Sequence, residues 1–215
     1  MKKIITTALL AAALLLTGCS DAKGKVTISE NTATLEHADI SVTFPDDWSV
    51  QGSDEIYADM YSSYYQNVYS SVDEMKNELT EGGLSFHVYA ASSDSETDNV
   101  SIVTISSQDM TPTEDEESIP LEEYARTVHD STIFEYLASG YMTGDDSSFS
   151  QESYGGKTGY LSHFELTTDN GFVNFVGFSE FMFQVDTELY SIQVTYFSEE
   201  EKAEALSIFD NITAA

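Results

Sequence analysis

Cysteine is nearly missing from this chain of 215 residues, which holds one, Cys19. A lone thiol excludes an internal disulfide framework, so stability must come from the core. Basic residues are scarce too: 8 Lys and Arg stand against 38 Asp and Glu, for a formal charge of −30. A field of that sign repels phosphates and excludes nucleic acid as a partner. No apolar run reaches the roughly 20 residues that a membrane-spanning helix needs. Catalytic signatures are also wanting: there is no nucleophile elbow, P-loop, GxGxxG or HExxH. What remains is 41% hydrophobic and 12% aromatic, enough for a packed core and unlike a disordered chain.

The N-terminus has its own logic. Met1-Lys2-Lys3 precedes an apolar stretch from Ile4 to Leu16, broken only by Thr6 and Thr7, and then Leu16-Thr17-Gly18-Cys19. A basic start, a short apolar segment and small residues before a cut are the anatomy of an export signal. Leu-Thr-Gly-Cys resembles the lipobox of bacterial lipoproteins. That resemblance implies a signal peptide over 1–18 and acylation of Cys19 with membrane-embedded chains such as palmitate. Each buried methylene contributes about 0.8 kcal/mol, so two or more chains anchor durably. Residues 19–25 then form a lipidated tether, and 26–215 a single domain held outside the cytoplasm, on the outer face of the cell membrane or on an outer membrane. Lys2 and Lys3 leave with the signal, so the mature chain is more acidic still.

Within the domain, β-branched alternation predicts strands over Val26–Glu30 and Thr32–Glu36, a turn at His37-Ala38-Asp39, and a strand over Ile40–Phe44. Pro45 stops that strand, and Trp48 is expected to cap the core. Between 54 and 80 the residues Tyr57, Tyr61, Tyr64, Val68, Val72, Met75 and Leu79 recur every three or four positions, a helical stripe ended by Gly82-Gly83. Strands over 84–91 and 100–106 follow, with an acidic turn between them. Pro120 opens a helix with Leu121, Tyr124, Ala125, Val128, Thr132 and Leu137 on its apolar face, closed by Gly140. A meander over 147–154, 157–167, 172–185 and 189–197 turns at Gly155-Gly156 and Asp169-Asn170-Gly171. A last helix over 199–212 turns Ala203, Leu206, Phe209 and Ile212 inward. The order predicts an α+β domain, a mostly antiparallel β-sheet flanked by helices.

Phe44-Pro45-Asp46-Asp47-Trp48, the Tyr154-Gly155-Gly156-Lys157 turn, the strand 189–196 and the terminal Phe209-Asp210-Asn211-Ile212 together resemble the PsbP-like fold, over about 32–213. This resemblance implies an αβα sandwich acting as a non-catalytic binding or assembly module for a protein or envelope component. The chain departs from short bacterial members in its Tyr-rich segment 54–80, read as an insertion over the sheet.

Candidate sites are few. Asp94, Glu96 and Asp98 alternate as calcium ligands would, but an EF-hand needs Gly and Glu where Asn99 and Ile105 stand, so the favoured reading is an acidic turn with no cofactor. His87 and His163 on strands, with Glu165, would make a transition-metal site if the imidazoles met across the sheet. His129 shares a helix with Glu122, Arg126 and Asp130, an arrangement suited to ion pairs. Adjacent carboxylates such as Asp46-Asp47 point different ways and specify no glycosidase pair. Tyr65 and Tyr69 lie off the central stripe and are the expected partner contacts. The expected function is non-catalytic binding, with a hydrolase using acidic residues or a cation-binding lipoprotein as alternatives.

Overall fold

The computed structural model describes residues 25–92, 100–112, 118–167 and 175–215. The export signal 1–18, Cys19, the acidic turn with Asp94, Glu96 and Asp98, and the Asp169-Asn170-Gly171 turn lie outside the described residues.

The α+β prediction holds, with two antiparallel sheets where one was expected. The first hairpin pairs β1 (Val26–Ser29) with β2 (Thr32–Leu35), which turns into β3 (Ile40–Thr43). Asn31 fixes the exit of β3: its amide Nδ2 donates to the Phe44 carbonyl and, at 2.9 Å, to Asp46. Pro45 ends the strand as expected, and Trp48 is buried. The other edge of β3 is taken by β11 (Ile212–Ala214), giving the order β1-β2-β3-β11.

The larger sheet runs β4 (Ser49–Gly52), β5 (Leu84–Ala91), β6 (Ile102–Asp109), β10 (Glu188–Tyr196), β9 (Phe175–Val185), β8 (Lys157–Thr167) and β7 (Met142–Tyr154), in that spatial order. Period-2 alternation sorts its side chains onto two faces. One face, with Val103, Ile105, Phe181, Phe183, Ile192 and Val194, packs on the small sheet and on α4 (Glu199–Asp210) to form the main core. The opposite face carries α1 (Ser53–Met60) and α2 (Val72–Glu81) at the β5 end, where Ile56, Tyr57 and Met75 meet Phe86. At the other end α3 (Leu121–Ala138) covers β7, β8 and β9. The outer layer on the core side is thus part sheet and part helix, a modification of the plain αβα sandwich.

Several features differ from the periodicity reading: β6 runs on to Asp109 and β7 starts at Met142. The single helix expected over 54–80 is two: α1 runs into a π-helical turn, Tyr61–Tyr65, and α2 restarts at Ser71, whose hydroxyl accepts from the Glu74 amide at 3.1 Å. The C-terminal helix stops at Asp210 because Ile212–Ala214 finds a strand partner in β3, and Ala203 is exposed while Ala205 and Ile208 face inward. On α3, Leu137 is exposed and the buried positions are Ala125 and His129.

Candidate functional site: a cavity on the open centre of the large sheet

Alternation in β6 and β10 gives each strand one apolar and one polar side. Val103 and Ile105, and Tyr190, Ile192 and Val194, enter the main core. Thr104, Ser106 and Gln108, and Ser191 and Gln193, therefore point to the helix side. The register places Ser106 beside Ser191 and Thr104 beside Gln193, while across β10 Gln193 is beside Glu180 of β9. A strand with a polar side usually shows it to water. Here the two strands occupy the middle of the sheet, between the α1–α2 layer and α3, so the polar strip becomes the floor of a cavity.

That cavity has a volume of about 270 Å³. Leu84 and Phe86 border it on the β5 side, and α3 forms the facing wall with Tyr124, Thr127, Val128, Ser131 and Thr132. Phe86 is held edge-on by Tyr57, at 6.1 Å between ring centroids, so the α1 layer supports that border. Met182 and Leu189 add apolar surface, and Glu123 and Glu135 line it from exposed positions of α3. The Tyr124 hydroxyl donates to Gln108 Oε1 at 3.1 Å. Burial, and secondarily the charge of Glu180, pushes this phenol up to about 12, so it stays a neutral donor.

Glu180 is the unusual member. It is only 7% exposed, and its one hydrogen-bond partner among the described residues is the Ser191 hydroxyl, which donates to Oε1. Burial pushes its carboxyl above the usual range, more strongly than the Ser191 bond pulls it back. A second buried glutamate shows the contrast. Glu165, on the core side of β8, accepts from the Tyr196 hydroxyl at 2.8 Å and is 2.6 Å from the Lys202 ammonium. One buried carboxylate is met by a cation of the protein, and the other faces a cavity.

The residues singled out from sequence fall elsewhere. His87 and His163 do not meet: β6, β10 and β9 lie between their strands, a separation on the order of 19 Å at about 4.8 Å per step. Three of the four histidines instead each pair with a serine, His87 with Ser107 at 2.9 Å, His163 with Ser179 at 2.7 Å, and His129 with Ser162. Burial lowers His87 to about 4 and also lowers His129. Among the described residues no group of three His, Cys, Asp or Glu is placed to hold a metal ion. Arg126 pairs with Glu122 at 3.3 Å and lies over the Phe149 ring, leaving His129 to Ser162. Tyr65 and Tyr69 are half-buried, in contact with one another at 5.8 Å between ring centroids and packed on the Tyr57–Met75 cluster. The ring most open to solvent on that segment is Tyr64. Glu180, Ser191, Gln193 and Tyr124 were missed because only the strand order brings them together; the polar sides of β6 and β10 were the available signal.

No family model and no curated protein matches the chain. Solved structures do. The similar chains include a mycobacterial protein and a cyanobacterial one of the PsbP type. The former is LpqN of Mycobacterium tuberculosis, described as involved in cell envelope biogenesis, at 13% identity and a TM-score of 0.44, over 89% of this chain and 84% of that one. The latter is PsbP of the cyanobacterium Synechocystis, at 10% identity and a TM-score of 0.47, over 92% of this chain and 98% of that one. PsbP, the namesake of the fold that the residues resemble, is thus among the similar structures. No helix among the described residues is long and apolar enough to cross a membrane.

Proposed function

We propose that this chain is a non-catalytic extracytoplasmic lipoprotein, anchored through Cys19, whose domain binds a ligand or envelope component in the cavity over β6 and β10. The observation that carries the reading is the enclosure of a polar strip at the centre of a sheet, walled by apolar side chains. That combination of an apolar wall with a few convergent polar groups is the usual character of a binding pocket. Tyr61, Tyr65 and Tyr69 pack on the cluster that holds Phe86 and so support the cavity's border from behind, while the exposed parts of Tyr65 and Tyr69 remain available to a partner.

An acid hydrolase is the second reading, and Glu180 is what favours it, because a buried carboxyl with a raised pKa suits a general acid. Such an enzyme also needs a second carboxylate set across the scissile bond. Glu123 and Glu135 stand at exposed positions on α3. Ser191 donates its proton to Glu180, and no imidazole lines the cavity among the described residues. Binding accounts for the site with fewer parts.

The test is photo-crosslinking on intact cells. A photoreactive residue at Thr127, exposed on the cavity wall, should acquire an adduct or partner that the same residue at Thr34 on the small sheet does not. Ser131→Phe, which fills the cavity from α3, should abolish that capture. Equal labelling at both positions, or capture unaffected by Ser131→Phe, rejects the cavity as the binding site.

A further inference from the structure

We infer that the cavity takes a small organic ammonium ion with an apolar body, its charge placed against Glu180. This deepens the binding reading above and rests on it.

The charge on the lining is one-sided. Glu180, Glu123 and Glu135 contribute carboxyl groups, and no Lys, Arg or His lines the cavity among the described residues. Glu180 sits at the bottom, more than nine-tenths buried, with one neutral hydroxyl as its partner. An ionised carboxylate taken out of water is costly unless a cation meets it. The same sheet shows how this protein solves the problem when it solves it internally: Glu165 receives Lys202 and Tyr196. Glu180 instead lines the cavity, with no cation of the protein against it among the described residues, and a cationic ligand would supply that charge. Gln193, beside Glu180 in the register, and Thr104, beside Gln193, offer oxygens for the remaining N–H groups of an ammonium. Leu84, Phe86, Val128, Met182 and Leu189 would enclose the apolar part.

Size and field agree. A volume of 270 Å³ corresponds to about nine waters at about 30 Å³ each, room for a ligand of roughly ten non-hydrogen atoms. The net charge of −30 concentrates cations around the molecule and repels anions. A negatively charged ligand would meet both the field and three carboxyl groups.

Three size-matched probes separate the possibilities: 2-phenylethylammonium, 2-phenylethanol and phenylacetate, titrated calorimetrically into the intact anchored protein near pH 7, with melting followed through its single tryptophan. The ammonium should bind at least tenfold more tightly than the alcohol and raise the melting temperature most, while phenylacetate should show no binding. Glu180→Gln keeps the volume and a hydrogen-bond acceptor for Ser191. It should weaken the ammonium at least tenfold while leaving the alcohol within about threefold. Adsorption to the acidic surface would not respond to that substitution. If the alcohol matches the ammonium, or Glu180→Gln leaves the ammonium unchanged, the cationic ligand is overturned and the cavity remains a binding site. If no probe binds while Thr127 crosslinking still captures a partner, the ammonium inference falls alone. If both fail, the binding reading falls with it.

Discussion

The Tyr196 hydroxyl reaches Glu165 across an intervening strand, donating to Oε1 at 2.8 Å. Between them in the register stands Gly177, paired with Tyr196 on one side and Glu165 on the other. The phenol ring lies flat on that glycine: a β-carbon at 177 would sit 2.0 Å from Tyr196 Cζ. Gly177→Ala must therefore push the ring out of a fully buried position and break its bond to Glu165. We expect it to destabilise by about 3 kcal/mol or more, as severe overpacking does, while Tyr196→Phe costs about 1–2 kcal/mol for the lost donor. Urea unfolding of both variants checks the order; an alanine milder than the phenylalanine contradicts it.

His87 gives the domain an acid-sensitive element. Burial holds its imidazole at about 4 against an ordinary 6.5, beside Ser107 and the Tyr190 ring. The folded chain keeps it neutral where the unfolded chain takes up a proton. Its contribution is thus complete above pH 6.5 and lost as pH falls from 6.5 towards 4. At 1.36 kcal/mol per pH unit this amounts to about 3 kcal/mol. In His87→Asn that loss should vanish, so the stability difference between wild type and variant must shift across this window and stay level above it.

Glu180 acts with the opposite sign. Its folded pKa is raised above the ordinary 4.5, so the folded state holds the proton longer than the unfolded one. Stability from this group is present below pH 4.5 and lost as pH rises through the folded value. Glu180→Gln should consequently become more stable relative to wild type as pH climbs above 4.5, before any ligand is added. A level difference over that range would mean that the carboxylate is already compensated.

Cys19→Ala should release the protein from membranes. With residues 1–18 replaced by an export signal that is cut without lipidation, Cys19→Ala has no acyl chains, so the variant is expected in the soluble extracytoplasmic fraction and wild type in the membrane fraction. Partitioning of the variant with membranes after high-salt washing would contradict lipid anchoring through this residue.

Much of the fold was legible because alternation in β2, β3 and β10 is regular, Gly155-Gly156 marks the turn between β7 and β8, and Pro45, Pro120 and Gly140 stand at real boundaries. Helix starts were written more clearly than periodicity alone conveyed. Ser71 and Ser198 each precede a glutamate by three, and both serines accept from that glutamate's amide, a capping pattern that marks where α2 and α4 begin. Two strands were unforeseen. Ser49–Gly52 is as long as β2 and β3 but lacks their apolar alternation, and Ile212–Ala214 is only three residues; both exist because β5 and β3 offer free edges. The site was illegible for a related reason. Thr104 and Glu180 stand far apart along the chain, and nothing in either segment says that β6 lies beside β10 and β10 beside β9.

The strand Ile212–Ala214 pairs with Ile40–Val42, and Trp48 donates to Glu204 at 2.7 Å. Both contacts join residues 40–48 to residues 204–214, at least 156 positions away, so the main core is sealed only when these distant segments meet. Pairings of such sequence separation are also slow to form. Closure of the main core thus falls late in folding, with the edge strand Ile212–Ala214 as its latch.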